Sequence, residues 1–331
     1  MTLPTQEILN AAYAATRAVA RETPLLQSEP LTKMTGATAL FVKAEGLQKA
    51  GSFKLRGAYW RLCGLSAEER QRGVVAYSSG NFAQGLALAG RELGVPVTIV
   101  MPADAPEMKR RATEGFGAKV VLSHHGDRPR EEAASALAIQ LAGEQGLVLL
   151  HPFDDPAIVA GQAGAALEAI AQIGAAPDVL VAPVGGGGLM GGAALALRAA
   201  NPRAEIWAAE PEGYDGMGRS LAAGERVKVP GGATICDALQ ATMPGEAPFA
   251  ACQAAGVRGL AVTDAEVARA MRTAFDELKL VLEPSGAVAL AAVLAGRVPV
   301  AGKTVLVVAS GSNIPFARFS ELVDKTKELV A

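Results

Sequence analysis

One lysine of this chain lies in a sequence context that favours covalent chemistry. Lys54 stands between Phe53 and Leu55 in the segment GSFKLRGA at residues 51–58, shortly after the strand-like run ALFVK at residues 39–43. An ammonium group with little water around it loses its proton more easily, and the neutral amine can form an imine with an aldehyde. The alternative is a lysine whose stem follows apolar surface while its ammonium stays in water. From this segment alone, the surface alternative is the more common one.

Four consecutive glycines form a second candidate site. The run PVGGGGL at residues 183–189 follows a strong strand-like segment and precedes a helix-like one. Glycine amides can surround an anion at a helix amino terminus, where the helix dipole favours negative charge. The run lacks the Lys-Ser/Thr pair of a P-loop and the glycine spacing of a dinucleotide site. It therefore predicts a phosphate ligand, with a tight turn for close helix packing as the alternative.

Polar segments occur at three further element ends: SSGNFAQG at residues 78–85, EPSGA at residues 283–287 and SGSN at residues 310–313. Open α/β sheets bind ligands at such positions. The first segment could bind a carboxylate through helix-start amides, and Asn81 could donate to a phenolic oxygen, with ordinary helix capping as the alternative. A special lysine together with a phosphate site predicts a phosphate cofactor that carries an aldehyde, for which pyridoxal phosphate is the familiar example.

The elements that must position these residues alternate between strands and helices. Short β-branched runs are each followed by an Ala/Leu-rich stretch with charges at helical spacing, from about residue 38 to residue 310. The near-continuous apolarity of the strands predicts parallel sheets that are covered on both faces. We predict strands at residues 73–78, 97–101, 119–122, 179–182, 205–209 and 303–308. We predict helices at residues 82–94, 130–145, 188–200 and 264–280.

This pattern predicts an α/β fold with two lobes, each an open, mostly parallel sheet flanked by helices. Residues 70–148 form a self-sufficient series of βα units and are expected to be a small domain that closes over the substrate. Residues 1–69 and 149–331 are expected to form the large cofactor-binding domain.

The composition narrows the kinds of partner. Half of the 331 residues are hydrophobic and the net charge is -2, so a large core is possible and nothing in the charge indicates nucleic acid or an acidic membrane. We therefore expect a small-molecule ligand, no nucleic acid and no membrane. The amino-terminal residues do not form the basic start and apolar core of a secretory signal, so we expect a cytoplasmic protein. The three cysteines have no CxxC spacing and predict incidental or buried thiols.

Taken together, the motifs resemble those of the fold-type II pyridoxal-phosphate enzymes, and among them most of all the threonine/serine dehydratases and serine racemases. The matching segments occur in the order typical of that family, and the resemblance covers nearly the whole chain. They lie at residues 51–58, 78–81, 185–189, 283–287 and 310–313.

The resemblance implies a role for each matched residue. Lys54 would carry the cofactor as an imine and act as the base at Cα, and Ser79 is the second candidate catalytic residue. Ser310 would face the pyridine nitrogen. Unlike a carboxylate, a serine does not keep this nitrogen protonated, so the ring accepts electrons less strongly and β-elimination is favoured over transamination. The implied cofactor-binding set is Phe53, Lys54, Asn81, Gly185, Gly186, Gly187, Gly188, Leu189, Glu283 and Ser310. The implied substrate-binding set is Ser78, Ser79, Gly80, Asn81 and Phe82.

The implied reaction is the dehydration and deamination of L-threonine and L-serine to a 2-oxo acid and ammonia, in an enzyme whose relatives are commonly homodimers. In the racemase relatives, a serine at the position of Ser79 is the acid on the opposite ring face. Because dehydratases carry the same serine, a racemase stays an alternative, as does a dehydratase of phenylserine or 3-hydroxyaspartate. A non-catalytic binder of a small phosphate ligand is the alternative of a different class.

Two positions depart from the family pattern. The family usually has histidine where this chain has Phe82, which favours an apolar substrate side chain, such as that of threonine, over hydroxyaspartate. The metal-binding members have an aspartate six residues after a glutamate, whereas Asp215 follows Glu210 by five residues. This shift weakens the case for a divalent cation, although the pair could still hold one, and the alternative is that Glu210 is a solvated loop acid. We expect no carboxy-terminal regulatory domain and no feedback by isoleucine.

Overall fold

The computed structural model describes residues 2–124, 126 and 128–324, and the predicted domains therefore include a few residues outside the described set. The strands are β1 (Leu25–Leu26), β2 (Ala39–Ala44), β3 (Val74–Tyr77), β4 (Val97–Pro102), β5 (Lys119–Ser123), β6 (Val148–Leu149), β7 (Val179–Pro183), β8 (Glu205–Pro211), β9 (Arg258–Val262) and β10 (Thr304–Ala309).

The helices alternate with these strands along most of the chain. They are α1 (Gln6–Thr16), α2 (Glu29–Thr35), α3 (Lys54–Cys63), α4 (Ala67–Arg72), α5 (Asn81–Leu93), α6 (Glu107–Gly115), α7 (Arg130–Gln145), α8 (Pro156–Gln162), α9 (Gly164–Ile173), α10 (Gly188–Ala200), α11 (Gly216–Ala223), α12 (Glu246–Ala254), α13 (Asp264–Leu278), α14 (Pro284–Leu294) and α15 (Phe316–Asp324). Two short 3₁₀ helices, Glu45–Leu47 and Lys49–Gly51, join β2 to α3.

The strands form two sheets. The larger sheet has six strands in the order β1-β2-β10-β7-β8-β9, and the smaller has four in the order β5-β4-β3-β6. Neighbouring strands pair in parallel throughout, except that β1 runs antiparallel to β2. The central strand β7 is buried along its whole length, as its unbroken apolar sequence predicts for a strand covered on both faces. The prediction of an α/β fold with mostly parallel sheets is confirmed.

The predicted elements are present with their ends shifted, and three strands were not predicted. β8 continues to Pro211, and α13 ends at Leu278 rather than at residue 280. The strand that the sequence pattern missed in the larger sheet is β9, at the sheet edge, with only its last residue fully buried. An edge strand that starts with Arg258 and Gly259 has no unbroken apolar run to identify it. β1 and β6 have two residues each, too few for a periodic pattern.

The core lies on both faces of both sheets, and in the smaller sheet α3 and α5 cover one face and α7 covers the other. Leu55 and Leu62 of α3 pack in one cluster with Val74 of β3 and Leu86 of α5. The helix that begins at Lys54 is therefore packed against elements of the smaller sheet, although its sequence lies in the segment predicted for the large domain. The domain boundaries themselves stay a prediction.

Two further sequence expectations concern membranes and thiols. Within the described ranges, no helix is long and apolar enough to cross a membrane. Cys236 and Cys252 are buried free thiols, as the prediction of buried or incidental thiols allows, and Cys63 is a half-buried free thiol.

Candidate active site

Lys54 is the first residue of α3 and is half-buried. Its Nζ donates to the carbonyl oxygen of Pro152 at 3.2 Å, and it lies 5.2 Å from the ring centroid of Phe53 and 5.7 Å from that of Phe82. The loss of surrounding water lowers the pKa of Lys54 to about 8, while the carboxylate of Glu283 acts in the opposite direction. A lysine in this state can be a neutral amine near physiological pH, which is what covalent chemistry with an aldehyde requires.

A close crossing of two helices holds the backbone of Lys54 in place. A Cβ atom at Gly85 of α5 would lie 2.9 Å from the backbone atoms of Lys54 and Leu55, so only glycine allows the helices to approach this closely. On the other side of α3, a Cβ at Gly161 would lie 2.6 Å from the Cα of Gly57. The position of the lysine therefore depends on two glycine contacts that clamp its helix.

A buried ionic cluster anchors α3 to neighbouring elements. Arg56 is fully buried, and its Nη2 donates to Glu45 at 2.7 Å and to Glu168 at 2.8 Å. Glu168 also accepts from the buried Lys43 at 2.6 Å. Two positive and two negative side chains thus balance one another without water, which ties α3 to β2 and α9. Removing Glu45 or Glu168 would leave one buried positive charge in excess next to α3.

The glycine run wraps around the start of α10. Gly187 has φ +97°, a conformation that favours glycine, and Gly188 is the first residue of the helix. A Cβ at Gly186 would lie 2.2 Å from the ring of Phe153, so a side chain there would have no room. In the part of the chain that the structure describes, no hydrogen-bond acceptor faces the amides of residues 185–190. This set of donors at a helix amino terminus fits a phosphate group. Leu189 follows within the helix and is buried in the core of the larger sheet.

Asn81 and Glu283 meet across the two sheets. Asn81 is the first residue of α5, and its Nδ2 donates to Glu283 Oε1 at 2.6 Å. Its Oδ1 accepts from the Nδ2 of Asn313 at 2.7 Å. Glu283 precedes α14 and is 4 % exposed, and burial raises its pKa to about 7 while the charge of Asp237 adds to the rise. The structure thus brings together motifs from both sheets.

Ser310 lies directly after β10 and is buried. Its carbonyl oxygen accepts from the amide of Phe53 at 3.3 Å, and Ser52 pairs with Gly311 in an isolated antiparallel bridge. The segment that contains Lys54 is therefore joined by backbone hydrogen bonds to the segment predicted to face the pyridine nitrogen. These two segments are far apart in the sequence, and only the fold brings them together.

The segment from Ser78 to Phe82 forms the start of α5. The Oγ of Ser78 accepts from the amide of Gly80 at 3.3 Å, and a Cβ added at Gly80 would contact nothing within 4 Å. Ser79 is half-buried, whereas Phe82 is 2 % exposed and its ring faces the ammonium of Lys54. Open space next to the amino terminus of a helix is suited to a substrate carboxylate.

The sequence interpretation assigned no role to four residues that line or support the site. Pro152 accepts from Lys54, Phe153 packs against the glycine run, and Asn313 holds Asn81. His151 shares a hydrogen bond of 3.1 Å with the hydroxyl of Tyr77, and burial lowers its pKa. A signal was present for Asn313, which ends the SGSN motif, whereas residues 151–153 lie outside every motif that the sequence analysis identified.

The predicted metal pair already has protein partners. Glu210 is fully buried, and its two oxygens accept from the amides of Met217 and Gly218, each at 2.8 Å. Burial raises the pKa of Glu210 to about 8, and Asp215 pairs with Arg219 at 2.8 Å. The alternative of a solvated loop acid is wrong for Glu210. Among the residues described, no cluster of three or more candidate metal ligands occurs, and a cation at this pair stays a prediction.

Comparisons with known proteins agree with this geometry. A family model described as pyridoxal-phosphate dependent enzyme matches residues 17–311. L-threonine ammonia-lyase of Thermotoga maritima is 39 % identical over 97 % of this chain and 78 % of its own length. L-threo-3-hydroxyaspartate ammonia-lyase of Saccharomyces cerevisiae is 39 % identical over 91 % of each chain. The solved structure of maize serine racemase is similar with a TM-score of 0.91 and 32 % identity, and 99 % of each chain is covered.

Proposed function

This chain belongs to the family of pyridoxal-phosphate dependent enzymes, and on that premise we propose that it removes the β-hydroxyl group of L-threonine and L-serine to release a 2-oxo acid and ammonia. The observation that carries the proposal is the position of Lys54. Its amine has a pKa lowered to about 8, and it donates to Pro152, next to Phe153, whose ring packs against the glycine run that suits a phosphate. A binder of a small phosphate ligand would need the glycine run but would not need this lysine.

The cofactor-holding residues follow from the chemistry of each group. Lys54 would hold the aldehyde carbon covalently, the amides from Gly185 to Gly188 would hold the phosphate, and Asn81 would donate to the ring oxygen. Ser310 would face the ring nitrogen with a neutral hydroxyl. Bound pyridoxal phosphate supplies an aldehyde that joins amines and a ring that accepts electrons.

Lys54 also has the properties of the base that removes the substrate Cα proton. A base works best when its pKa is close to the working pH, and the value of about 8 meets this condition better than that of an exposed lysine. The rings of Phe53 and Phe82 on either side keep water from the amine. The neutral form of Lys54 takes the proton, and the ammonium it becomes is stabilised by the two ring faces and the carbonyl of Pro152.

The substrate carboxylate would be bound at the start of α5. The dipole of this 13-residue helix favours a negative charge there, and the backbone from Ser78 to Phe82 supplies the donors. Ser79 lies in the same segment, where its hydroxyl could hold a proton for the ring face opposite Lys54. If it does, inversion of the substrate accompanies elimination, as the names of the racemase relatives suggest.

A second candidate function is the dehydration of a bulkier, apolar β-hydroxy amino acid. The buried ring of Phe82 next to the Lys54 ammonium favours this candidate, since it replaces a polar residue of the family pattern with an apolar surface. Phenylserine is the substrate that would test this surface, and 3-hydroxyaspartate is the substrate that it would disfavour.

The covalent bond to Lys54 provides the direct test. Purified protein should absorb at about 410 nm, as expected for a protonated imine between this cofactor and a lysine. Borohydride should bleach the band and leave the cofactor on Lys54, as mapped by peptide mass spectrometry. Lys49, which is exposed and lies shortly before this segment, is the matched control and should stay unlabelled. A label on another residue, or no label, would contradict the assignment of Lys54 as the residue that carries the cofactor.

A substrate panel then separates the candidate reactions. L- and D-threonine, L- and D-serine, phenylserine and 3-hydroxyaspartate would each be assayed for the 2-oxo acid and for the inverted enantiomer. We expect 2-oxo acid from L-threonine and L-serine. Inverted amino acid without 2-oxo acid would indicate a racemase, and a clear preference for phenylserine would support the second candidate.

A further inference from the structure

The amide of Asn81 is held from both ends, so its orientation is defined. Its Nδ2 faces the carboxylate of Glu283 at 2.6 Å, and its Oδ1 faces the Nδ2 of Asn313 at 2.7 Å. Asn313 Nδ2 is held in turn by the carbonyl oxygen of Ala50 at 2.9 Å. Because an ionised carboxylate can only accept hydrogen bonds, Glu283 requires the nitrogen of Asn81 to face it. The other hydrogen of that nitrogen is left to donate elsewhere.

Two glycines make room for this arrangement. A Cβ at Gly311 would lie 2.1 Å from Glu283 Oε1 and 3.2 Å from Asn81 Nδ2, directly against their hydrogen bond. A Cβ at Gly51 would lie 2.2 Å from Asn313 Oδ1, and Gly51 has φ +72°. The backbone therefore lies close against the Asn81–Glu283 hydrogen bond at Gly311 and against the Asn313 side chain at Gly51.

Several charged groups act on Glu283. Burial and the charge of Asp237 raise the pKa of Glu283 to about 7, whereas the hydrogen bond from Asn81, the charge of Lys109 and the amide of Asn313 act in the opposite direction. Lys54 also lies within electrostatic range of Glu283. The ion pair between Lys109 and Asp237, at 2.6 Å, largely cancels those two charges. With a pKa of about 7, Glu283 is ionised above neutral pH, where its carboxylate can only accept from Asn81.

We propose that Glu283 is a positioning residue that fixes the Asn81 amide with its nitrogen towards the ring oxygen of the cofactor. This inference rests on the proposed function, in which Asn81 donates to that oxygen. Glu283 acts through Asn81 and need not contact the cofactor. Without a carboxylate at residue 283, the Asn81 amide could turn over and present its oxygen to the ring, which would repel the ring oxygen instead of binding it.

The test is a double-mutant cycle on the holoenzyme, read by its spectrum. Glu283→Gln keeps the shape of the side chain but allows it to donate, and Asn81→Ala removes the amide. Each should reduce the band near 410 nm in favour of a band at shorter wavelength, because a ring oxygen without its donor keeps its proton. Each should also weaken pyridoxal-phosphate binding about tenfold, the usual scale for one charge-assisted hydrogen bond. The double variant should match Asn81→Ala alone.

Two further variants distinguish a specific effect on Asn81 from a general loss of structure. Asn313→Ala removes the donor to the other end of the Asn81 amide and should change the spectrum in the same direction. Glu205→Gln makes the same chemical change at a carboxylate that pairs with Lys303 at the far end of the larger sheet, and it should leave the spectrum unchanged.

The outcomes separate this inference from the proposed function. If the native protein shows no band and no label on Lys54, the proposed function fails. If the native protein is labelled but Glu283→Gln has the native spectrum and affinity, only the positioning role is overturned. Effects of Glu283→Gln and Asn81→Ala that simply add would also overturn it, since they would mean that Glu283 acts independently of Asn81.

Discussion

Lys54 illustrates how the chemistry of a residue depends on neighbours that are distant along the chain. Its sequence neighbours include only one of the two rings that face it, Phe53. The second ring belongs to Phe82, and the carbonyl that accepts its hydrogen bond belongs to Pro152. These groups replace water around the ammonium, and the lowered pKa follows from that replacement.

The pH dependence of cofactor attachment should report this lowered pKa. Because only the neutral amine attacks an aldehyde, attachment of pyridoxal phosphate to the cofactor-free protein should speed up as pH rises, with a midpoint at about 8. Stopped-flow absorbance at about 410 nm between pH 6 and pH 10 measures this rate. Nα-acetyl-lysine under the same conditions should show no midpoint within this range, because its ordinary pKa of about 10.4 lies above it. A protein that, like the model compound, shows no midpoint within this range would contradict the buried state of Lys54.

At the scale of elements, the site depends on where helices begin and on how closely they cross. α3 begins at Lys54, α5 begins at Asn81 and α10 begins at Gly188, so most of the predicted cofactor contacts lie at or next to a helix start, whereas Ser310 follows β10. The crossing of α3 and α5 at Gly85 sets the distance between the first two of these starts. Helix amino termini suit an anionic cofactor and an anionic substrate because their free amides and dipoles point in one direction.

Substitution of Gly85 tests the helix crossing. Gly85→Ala places a Cβ 2.9 Å from the backbone of Lys54 and should reduce the free energy of unfolding by about 1–3 kcal/mol, the usual cost of overpacking. It should also weaken cofactor binding, since the start of α3 must move. Gly143→Ala is the matched control in α7, where the added Cβ meets nothing within 4 Å, and it should stabilise the helix by up to about 1 kcal/mol. Denaturant titrations and pyridoxal-phosphate binding curves provide both measurements. Equal behaviour of the two variants would refute the role of the crossing.

At the scale of the whole molecule, side chains connect the elements of one sheet to those of the other. Asn81 of α5 bonds to Glu283 at α14, and Lys109 of α6 pairs with Asp237 in the segment between α11 and α12. Lys109 is 19 % exposed and Asp237 is 54 % exposed, so water screens this pair and its contribution to stability is small. An interaction of this kind can bias how far the two sheets approach without determining whether the chain folds.

Removal of this cross-sheet ion pair should therefore affect substrate binding more than stability. Lys109→Met is expected to raise the KM for threonine up to about fivefold and to change the free energy of unfolding by no more than about 1 kcal/mol. Lys303→Met removes an ion pair within the larger sheet and should leave KM unchanged. Steady-state kinetics and thermal melts distinguish the two variants. A large loss of stability in Lys109→Met with KM unchanged would mean that the pair supports the fold and not substrate binding.

The sequence was most informative where the signal is local. The apolar runs of β7 and β10 predicted parallel strands, and the glycine run predicted a phosphate site at a helix start, since both depend on neighbouring residues. It was least informative at β9, whose short edge segment lacks an apolar run, and at Glu210, whose burial is decided by the amides of Met217 and Gly218. Periodicity reports the face of an element, but not what lies opposite that face.

The amino-acid sequence alone specifies the α/β class, the order of the motifs and the residue types that suit an aldehyde, a phosphate and a carboxylate. The packing of the two sheets withdraws Lys54 from water, brings Pro152 and Asn313 to the site, and joins Asn81 and Glu283 into one unit. Asn81 and Glu283 are 202 residues apart, and Lys54 and Pro152 are 98 residues apart. Contacts over such distances arise from how the two sheets pack, and both the pKa of a lysine and the orientation of an amide are set by those contacts.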